Sequence, residues 1–227
     1  MKQMTIDEKD ILNSILDSLS RIDYIKPEDL PNIDLYMDQV TTFMDSQLAI
    51  SKRHPDDKIL TKTMINNYAK NNLLPPPVKK KYSKERLLAL IFIYYFKNIL
   101  SIGDIQAILN PLTDKYFASS LNFNLEDIYS EVFRLAESEI LNMQKDLTRK
   151  YQTSQQTFSQ LPEGEQEELQ RFSFICMLSF DVYIKKQLIE KLIDAKLAGN
   201  SVKTKTSPKN KKPEKKTKIS QEDTPET

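Results

Sequence analysis

TKTMINNYAKNNLLPPPVKKKYSKERLLALIFIYYFKNILSIGDIQAIL, Thr61 to Leu109, sets a short polar helix, a proline-lysine turn and a strongly apolar helix one after another. Thr61 is suited to cap the first helix, and Leu60 before it and Ile65 after it hold the two positions of a hydrophobic staple. The helix should cover roughly 62–71, because Asn72 is the best non-glycine residue for a left-handed C-terminal cap and Pro75, Pro76 and Pro77 forbid continuation. Met64, Ile65 and Tyr68 then point inward, which leaves Lys62, Thr63, Asn66, Asn67 and Lys70 on the outer face. Lysines and side-chain amides are good donors to phosphates, and an asparagine can pair bidentately with adenine in the major groove. Lys79, Lys80 and Lys81 precede Tyr82 on a short extended or hairpin segment. Ser83 can cap a helix over 84–98, whose LLALIFIYYF must be buried on most sides. Ser101 and Asp104 form a capping box ahead of Ile105, Ile108 and Leu109, and Pro111 closes the segment.

Upstream, Thr5 to Ile22 spaces Ile11, Leu12, Ile15, Leu16 and Leu19 as an amphipathic helix, with Thr5 and Glu8 as its capping box and Pro27 and Pro31 as breakers. Asp34 to Ile50 reads as a second helix carrying Leu35, Tyr36, Val40, Phe43, Met44 and Leu48, and SKRHPDDK after it as a loop. Downstream, 124–157 reads as one long amphipathic helix with Leu125, Ile128, Val132, Phe133, Ala136, Ile140, Met143, Leu147 and Tyr151 on one side. Leu161 to Gly164 breaks it, and a further helix covers about 165–198. Its FSFICMLSFDVYI, Phe172 to Ile184, is too short for a membrane span and suits a buried hairpin partner or a dimer seam. The lysine-rich tail from Gly199 almost lacks apolar residues and is expected to be disordered. The chain thus divides into an N-terminal helix (1–29), a helix-and-hairpin domain (30–112), a helical dimerisation or effector region (113–198) and the tail (199–227). Three glycines in 227 residues, amid abundant Leu, Ile, Lys, Asn and Gln, make the fold mainly α.

The net charge of +1 conceals an uneven distribution. Residues 52–86 hold 10 basic and 3 acidic side chains, whereas 1–51 hold 4 and 10, and 87–198 hold 11 and 15. A basic segment on an acidic body is the footprint of a polyanion-binding module. His54 and Cys176 are the sole histidine and cysteine, so one chain cannot build a zinc finger, a cysteine thiolate pair or a two-histidine metal site. Phosphate-binding glycine loops and the G-x-S-x-G elbow are absent. No cofactor, metal or catalytic residue is implied, and the protein is not expected to be an enzyme. Acids in MKQMTIDEKD and the lack of a run of ~20 apolar residues lead us to expect a cytoplasmic protein without integral membrane association.

Ile65-Asn66-Asn67-Tyr68, Asn72-Leu73-Leu74 with Pro75–Pro77, Lys80-Lys81-Tyr82-Ser83 and Ser101-Ile102-Gly103-Asp104-Ile105 together resemble the MerR type of bacterial winged helix-turn-helix regulator. That type runs I-R-x-Y-x-x-x-G-L-L-x-P, a basic wing ending R-x-Y-S/T, and a S-L-x-E-I turn. Asn66, Asn72 and Lys80 replace its arginine, glycine and wing arginine, and the first helix with its loop is longer than the type. Over about residues 10–110 the sequence also resembles a narrower bacterial family catalogued as a domain of unknown function with this MerR-like core. The resemblance implies transcriptional regulation: a sequence-specific regulator of double-stranded DNA, a homodimer and most simply a repressor. Lys62, Thr63, Asn66, Asn67 and Lys70 would lie on the recognition helix, and Lys79, Lys80, Lys81 and Tyr82 on the wing. The region 113–198 would dimerise and could take a small-molecule or protein effector. The alternative is a helical protein-interaction adaptor whose basic surface meets an acidic partner; a weaker one is peripheral membrane association through the tail and the Phe172–Ile184 run.

Overall fold

The computed structural model describes residues 13, 14, 16, 17, 24–117 and 123–205, with the backbone alone at 136, 137, 163 and 199–205. Its elements are β1 (Leu35–Tyr36), α1 (Met37–Gln47), α2 (Lys62–Lys70), β2 (Lys81–Tyr82), α3 (Lys84–Phe96), α4 (Ile102–Tyr116), α5 (Leu125–Arg134), α6 (Ala136–Ser154) and α7 (Glu163–Lys205). The protein is mainly helical, and β1 pairs antiparallel with β2 in the register Leu35 to Tyr82 and Tyr36 to Lys81. Of the expected Thr5–Ile22 helix, Asn13, Ser14, Leu16 and Asp17 are helical and the remainder lies outside the described residues, as does the tail beyond Lys205. Among the described residues no helix is long and apolar enough to cross a membrane.

α3 is the axis of the core. Leu87 to Tyr94 are all buried, as their unbroken hydrophobicity requires. Around them pack Val40 and Met44 of α1, Ile65 and Tyr68 of α2, Ile105 and Leu109 of α4, and Leu125 and Tyr129 of α5. Phe92 meets Tyr129 and Phe133 with ring centroids 5.5 and 5.7 Å apart. The Tyr129 hydroxyl reaches back 2.5 Å to the Ile25 carbonyl and secures the segment before β1.

Several boundaries differ from expectation. The helix expected from Asp34 begins at Met37, because Leu35 and Tyr36 are extended and hydrogen-bonded to β2; Leu35 is buried all the same, so its apolar periodicity misleads. Pro111 does not close α4, which runs on to Tyr116, since the buried Leu109 and Thr113 on either side hold the helix to the core. Proline removes the bond that the Ala107 carbonyl would receive, and Lys196 Nζ of α7 stands 3.5 Å from that oxygen. The single helix expected over 124–157 is two, broken at Leu135, because α5 follows the aromatic cluster on α3 while α6 pairs with α7. In consequence Val132 and Met143, expected on the inner face, are exposed. Residues 199–205, expected in the tail, continue α7. Ser83 occupies the N-cap of α3, but its hydroxyl accepts from the Arg86 guanidinium at 3.1 Å and caps nothing.

At 43 residues α7 is ~65 Å long. Its first half lies on α6, where Lys150 is almost fully buried and ion-paired to both Asp146 and Asp181. Its second half crosses to α4 and inserts Ile193 into the core. In the Phe172–Ile184 run, expected as a buried hairpin partner or a dimer seam, no residue is fully buried. Phe174, Met177 and Leu178 are half-buried, whereas Phe172, Ile175, Phe180, Val182, Tyr183 and Ile184 are exposed, and Leu188 and Leu192 continue that exposure.

Candidate nucleic-acid interface

Local chemistry fixes both ends of α2. Thr61 Oγ1 accepts the Met64 N–H at 3.2 Å, and Leu60 and Ile65 are both buried as the staple requires. At the other end Asn72 takes φ 53°, Leu73 N–H donates to Tyr68 O at 2.9 Å and Asn72 N–H to Ala69 O at 3.2 Å. These two bonds form a Schellman closure, and the burial of Leu73 and Leu74 locks it. The outer face is therefore held firmly while its side chains stay loose. Among the described residues, Thr63, Asn66, Asn67 and Lys70 are exposed and their side chains have no hydrogen-bond or ion-pair partner. Lys62 differs, since its ammonium is ion-paired with Asp38 on α1.

Seven residues beyond the αL cap lies a second device. Val78 and Lys81 exchange both backbone hydrogen bonds, at 3.1 and 2.9 Å, around a two-residue loop of Lys79 and Lys80. Both lysines have positive φ, 49° and 66°, the signature of a type I′ hairpin turn. Such turns favour Asn-Gly, because a side chain with a Cβ pays for the left-handed region in steric strain. The result is a rigid tip carrying two exposed ammonium groups, with the exposed Val78 beside them.

Lys81 and Tyr82 face away from that tip. Lys81 is half-buried with Nζ 5.1 Å from the centre of the Tyr36 ring, a cation–π contact across the sheet. Tyr82 is only 2% exposed, and burial pushes its phenol above the ordinary tyrosine range. This corrects the expectation that Tyr82 belongs to the binding face: it anchors β2 to the core. Sequence patterning also missed three supports. Tyr36 is an exposed ring beside Lys81; Arg86 donates to Pro76 O at 2.9 Å and stacks 5.0 Å over Phe117; and Gln106 Nε2 donates to the Asn71 carbonyl at the α2 C-cap. Arg86 and Gln106 bridge separations of 10 and 35 residues, which local patterns do not record. Lys97, at the C-cap of α3, is structural: burial lowers its pKa, and it donates to Ile59 O at 3.1 Å. His54 is exposed, with its backbone N–H on the Asp57 carboxylate at 2.9 Å, and Cys176 is half-buried on α7.

The α2 face and the hairpin lie within a stretch that is similar to a known family. Residues 25–132 match a family described as a domain of unknown function (DUF1836). The DUF1836 match takes in α1 to α4, the hairpin and nearly all of α5, and stops before α6 and α7. It agrees with the expected resemblance to a family catalogued as a domain of unknown function, with bounds shifted C-terminally from 10–110. No curated protein and no solved structure matches the chain.

Proposed function

We propose that this protein is a sequence-specific DNA-binding transcriptional regulator, with α1, α2 and the Val78–Lys81 hairpin acting as a MerR-like winged helix-turn-helix. The observation that carries the proposal is a hairpin tip of two lysines in left-handed backbone, close in sequence to a capped helix on which Thr63, Asn66, Asn67 and Lys70 are exposed and have no internal partner. Neither feature serves the core. Asn66 and Asn67 would meet base edges, Lys62 and Lys70 the backbone, and Lys79 and Lys80 flanking phosphates, where each neutralised phosphate adds salt-dependent affinity. Lys81 and Tyr82 support the wing from behind.

A regulator reading two half-sites about one helical turn apart needs a second copy. The exposed apolar residues of α7, Phe172 to Leu192, are the natural seam for it. Bound across a promoter, such a dimer would repress by occlusion, and the seam region could also take an effector. The same apolar surface favours one other reading, a helical adaptor that uses α7 and the basic segment to hold other proteins.

Gel-shift titration of the full chain against fragments of its own genome, at two salt concentrations, tests the proposal. Selective retention of one promoter fragment with affinity falling steeply in salt is expected. Uniform weak retention, or none, would favour the adaptor and overturn DNA regulation.

A further inference from the structure

α4 touches the two functional parts of the molecule through adjacent residues. Gln106 Nε2 donates to the Asn71 carbonyl, at the C-terminal end of α2. The next residue, Ala107, offers the carbonyl that Pro111 leaves without its helical donor, and Lys196 Nζ of α7 lies 3.5 Å from it. Ile193 of α7, 4% exposed, and the half-buried Ile189 enter the same core as Ile105 and Leu109 of α4. α4 is thus held on one side by the long helix and on the other by the cap of α2, at a turn where one backbone bond is missing and bending is easiest.

We infer that α4 couples the position of α7 to the pose of α2, with Gln106 and Lys196 as positioning residues. The functional consequence rests on the DNA-binding proposal for α2; the mechanical coupling does not. The N-terminal end of α2 is pinned by the Thr61 cap and the Leu60–Ile65 staple, so a shift of α4 acts on its C-terminal turn. That turn carries Asn67 and Lys70, and the outer face of Asn66 moves with it. A second copy or an effector that moves α7 alters the Lys196 contact first and the α2 cap next. Coupling of this kind needs a contiguous chain of contacts and an element with a compliant point, and the Pro111 turn is that point.

Hydrogen exchange of residues 62–74 and anisotropy titrations on the full chain test the coupling. The variants are Lys196→Met, Lys196→Arg, Gln106→Leu and the double Gln106→Leu/Lys196→Met. The probes are a labelled duplex from the promoter of the chain's own gene and an unrelated duplex of equal length. Lys196→Met and Gln106→Leu should each speed exchange at the C-terminal turn of α2 by about fivefold, the equivalent of one hydrogen bond. Each should weaken promoter binding by a similar factor and leave the unrelated duplex unchanged. Lys196→Arg should restore both, and the double variant should lose less than the product of the singles. Unchanged exchange at 62–74 in Lys196→Met overturns the coupling, as do equal losses on both duplexes. A wild-type chain that binds neither duplex overturns the DNA-binding proposal instead, and exchange in the α2 peptide then decides the coupling alone.

Discussion

Replacing the hairpin tip by the pair its backbone prefers should make the protein more stable and a worse DNA binder. Lys79 and Lys80 sit at φ 49° and 66°, a region that costs a residue with a Cβ about 1 kcal/mol or more. In Lys79→Asn/Lys80→Gly the asparagine tolerates this region and the glycine meets no steric penalty there. Glycine gives back part of the gain through its extra freedom in the unfolded chain, about 0.5–1 kcal/mol. The net expectation is about 1 kcal/mol of added stability, or a Tm higher by about 2–4 °C for a chain of this size. Two lost ammonium groups should flatten the dependence of log affinity on log salt by about 1.8, at roughly 0.9 per phosphate contact.

A second variant separates backbone from charge. Lys79→Gln/Lys80→Gln keeps the left-handed demand and removes the same two charges, so it should show the same loss of salt slope without the same gain in Tm. Thermal unfolding followed by circular dichroism and anisotropy titrations at four salt concentrations measure both quantities on one preparation. If the Asn-Gly variant melts no higher than the Gln-Gln variant, the strain argument is wrong. If neither variant changes the salt slope, the hairpin does not touch DNA, whatever its stability.

The outer face of α2 should carry base preference: Asn66→Ala should lower affinity for a selected promoter duplex by about 1–3 kcal/mol while leaving Tm and binding to an unrelated duplex unchanged. Asp38→Asn should release Lys62 from its ion pair and steepen the salt slope by about 0.9, with a stability change of at most ~1 kcal/mol because the pair is exposed; an unaltered slope removes Lys62 from the interface. Leu188→Glu/Leu192→Glu, on the exposed side of α7, should convert a dimer to a monomer in sedimentation velocity with helicity retained, and a wild type that sediments as a monomer sinks the seam. The hydrogen bonds from Lys150 and Arg149 hold the Asp146 carboxyl below its ordinary value of 3.8. Its contribution to stability is therefore complete above that pH and lost as pH falls through the lower folded value, so Asp146→Asn should flatten the acid limb of a pH–stability profile.

What could be read before the structure follows from the range of the forces involved. The ends of α2 were legible because Thr61, Leu60, Ile65 and Asn72 act on backbone within a few residues of themselves. The burial of α3 was legible because no face of LLALIFIYYF can be left in water. The start of α1 was not, because the groups that make Leu35 and Tyr36 extended belong to residues 81 and 82. The passage of α4 through Pro111 depends on core residues on either side of it and brings Lys196 to the freed carbonyl, while the break at Leu135 depends on two helices choosing different neighbours. Tyr82 was misplaced for a related reason. Its neighbours Lys79 to Lys81 suggested a wet segment, but the turn at 79–80 sends the next residues back into the sheet, where alternate side chains face the core.

The tip is also where sequence and structure disagree most, and the disagreement has content. Lys-Lys is not a turn signal, and nothing in composition or periodicity points to left-handed backbone at both positions. At Asn72 the same conformation is met by a residue that tolerates it, and the Schellman bonds and two buried leucines repay it. At Lys79 and Lys80 no such repayment is present among the described residues: the side chains are exposed and unpartnered, and one pair of backbone bonds closes the loop. Locally consistent sequences abandon their own preferences mainly where something other than folding is served. On the proposed reading, the two ammonium groups on this tip would serve a partner with closely spaced negative charge, and a duplex backbone, with one phosphate charge per ~1.7 Å of axis, would be such a partner.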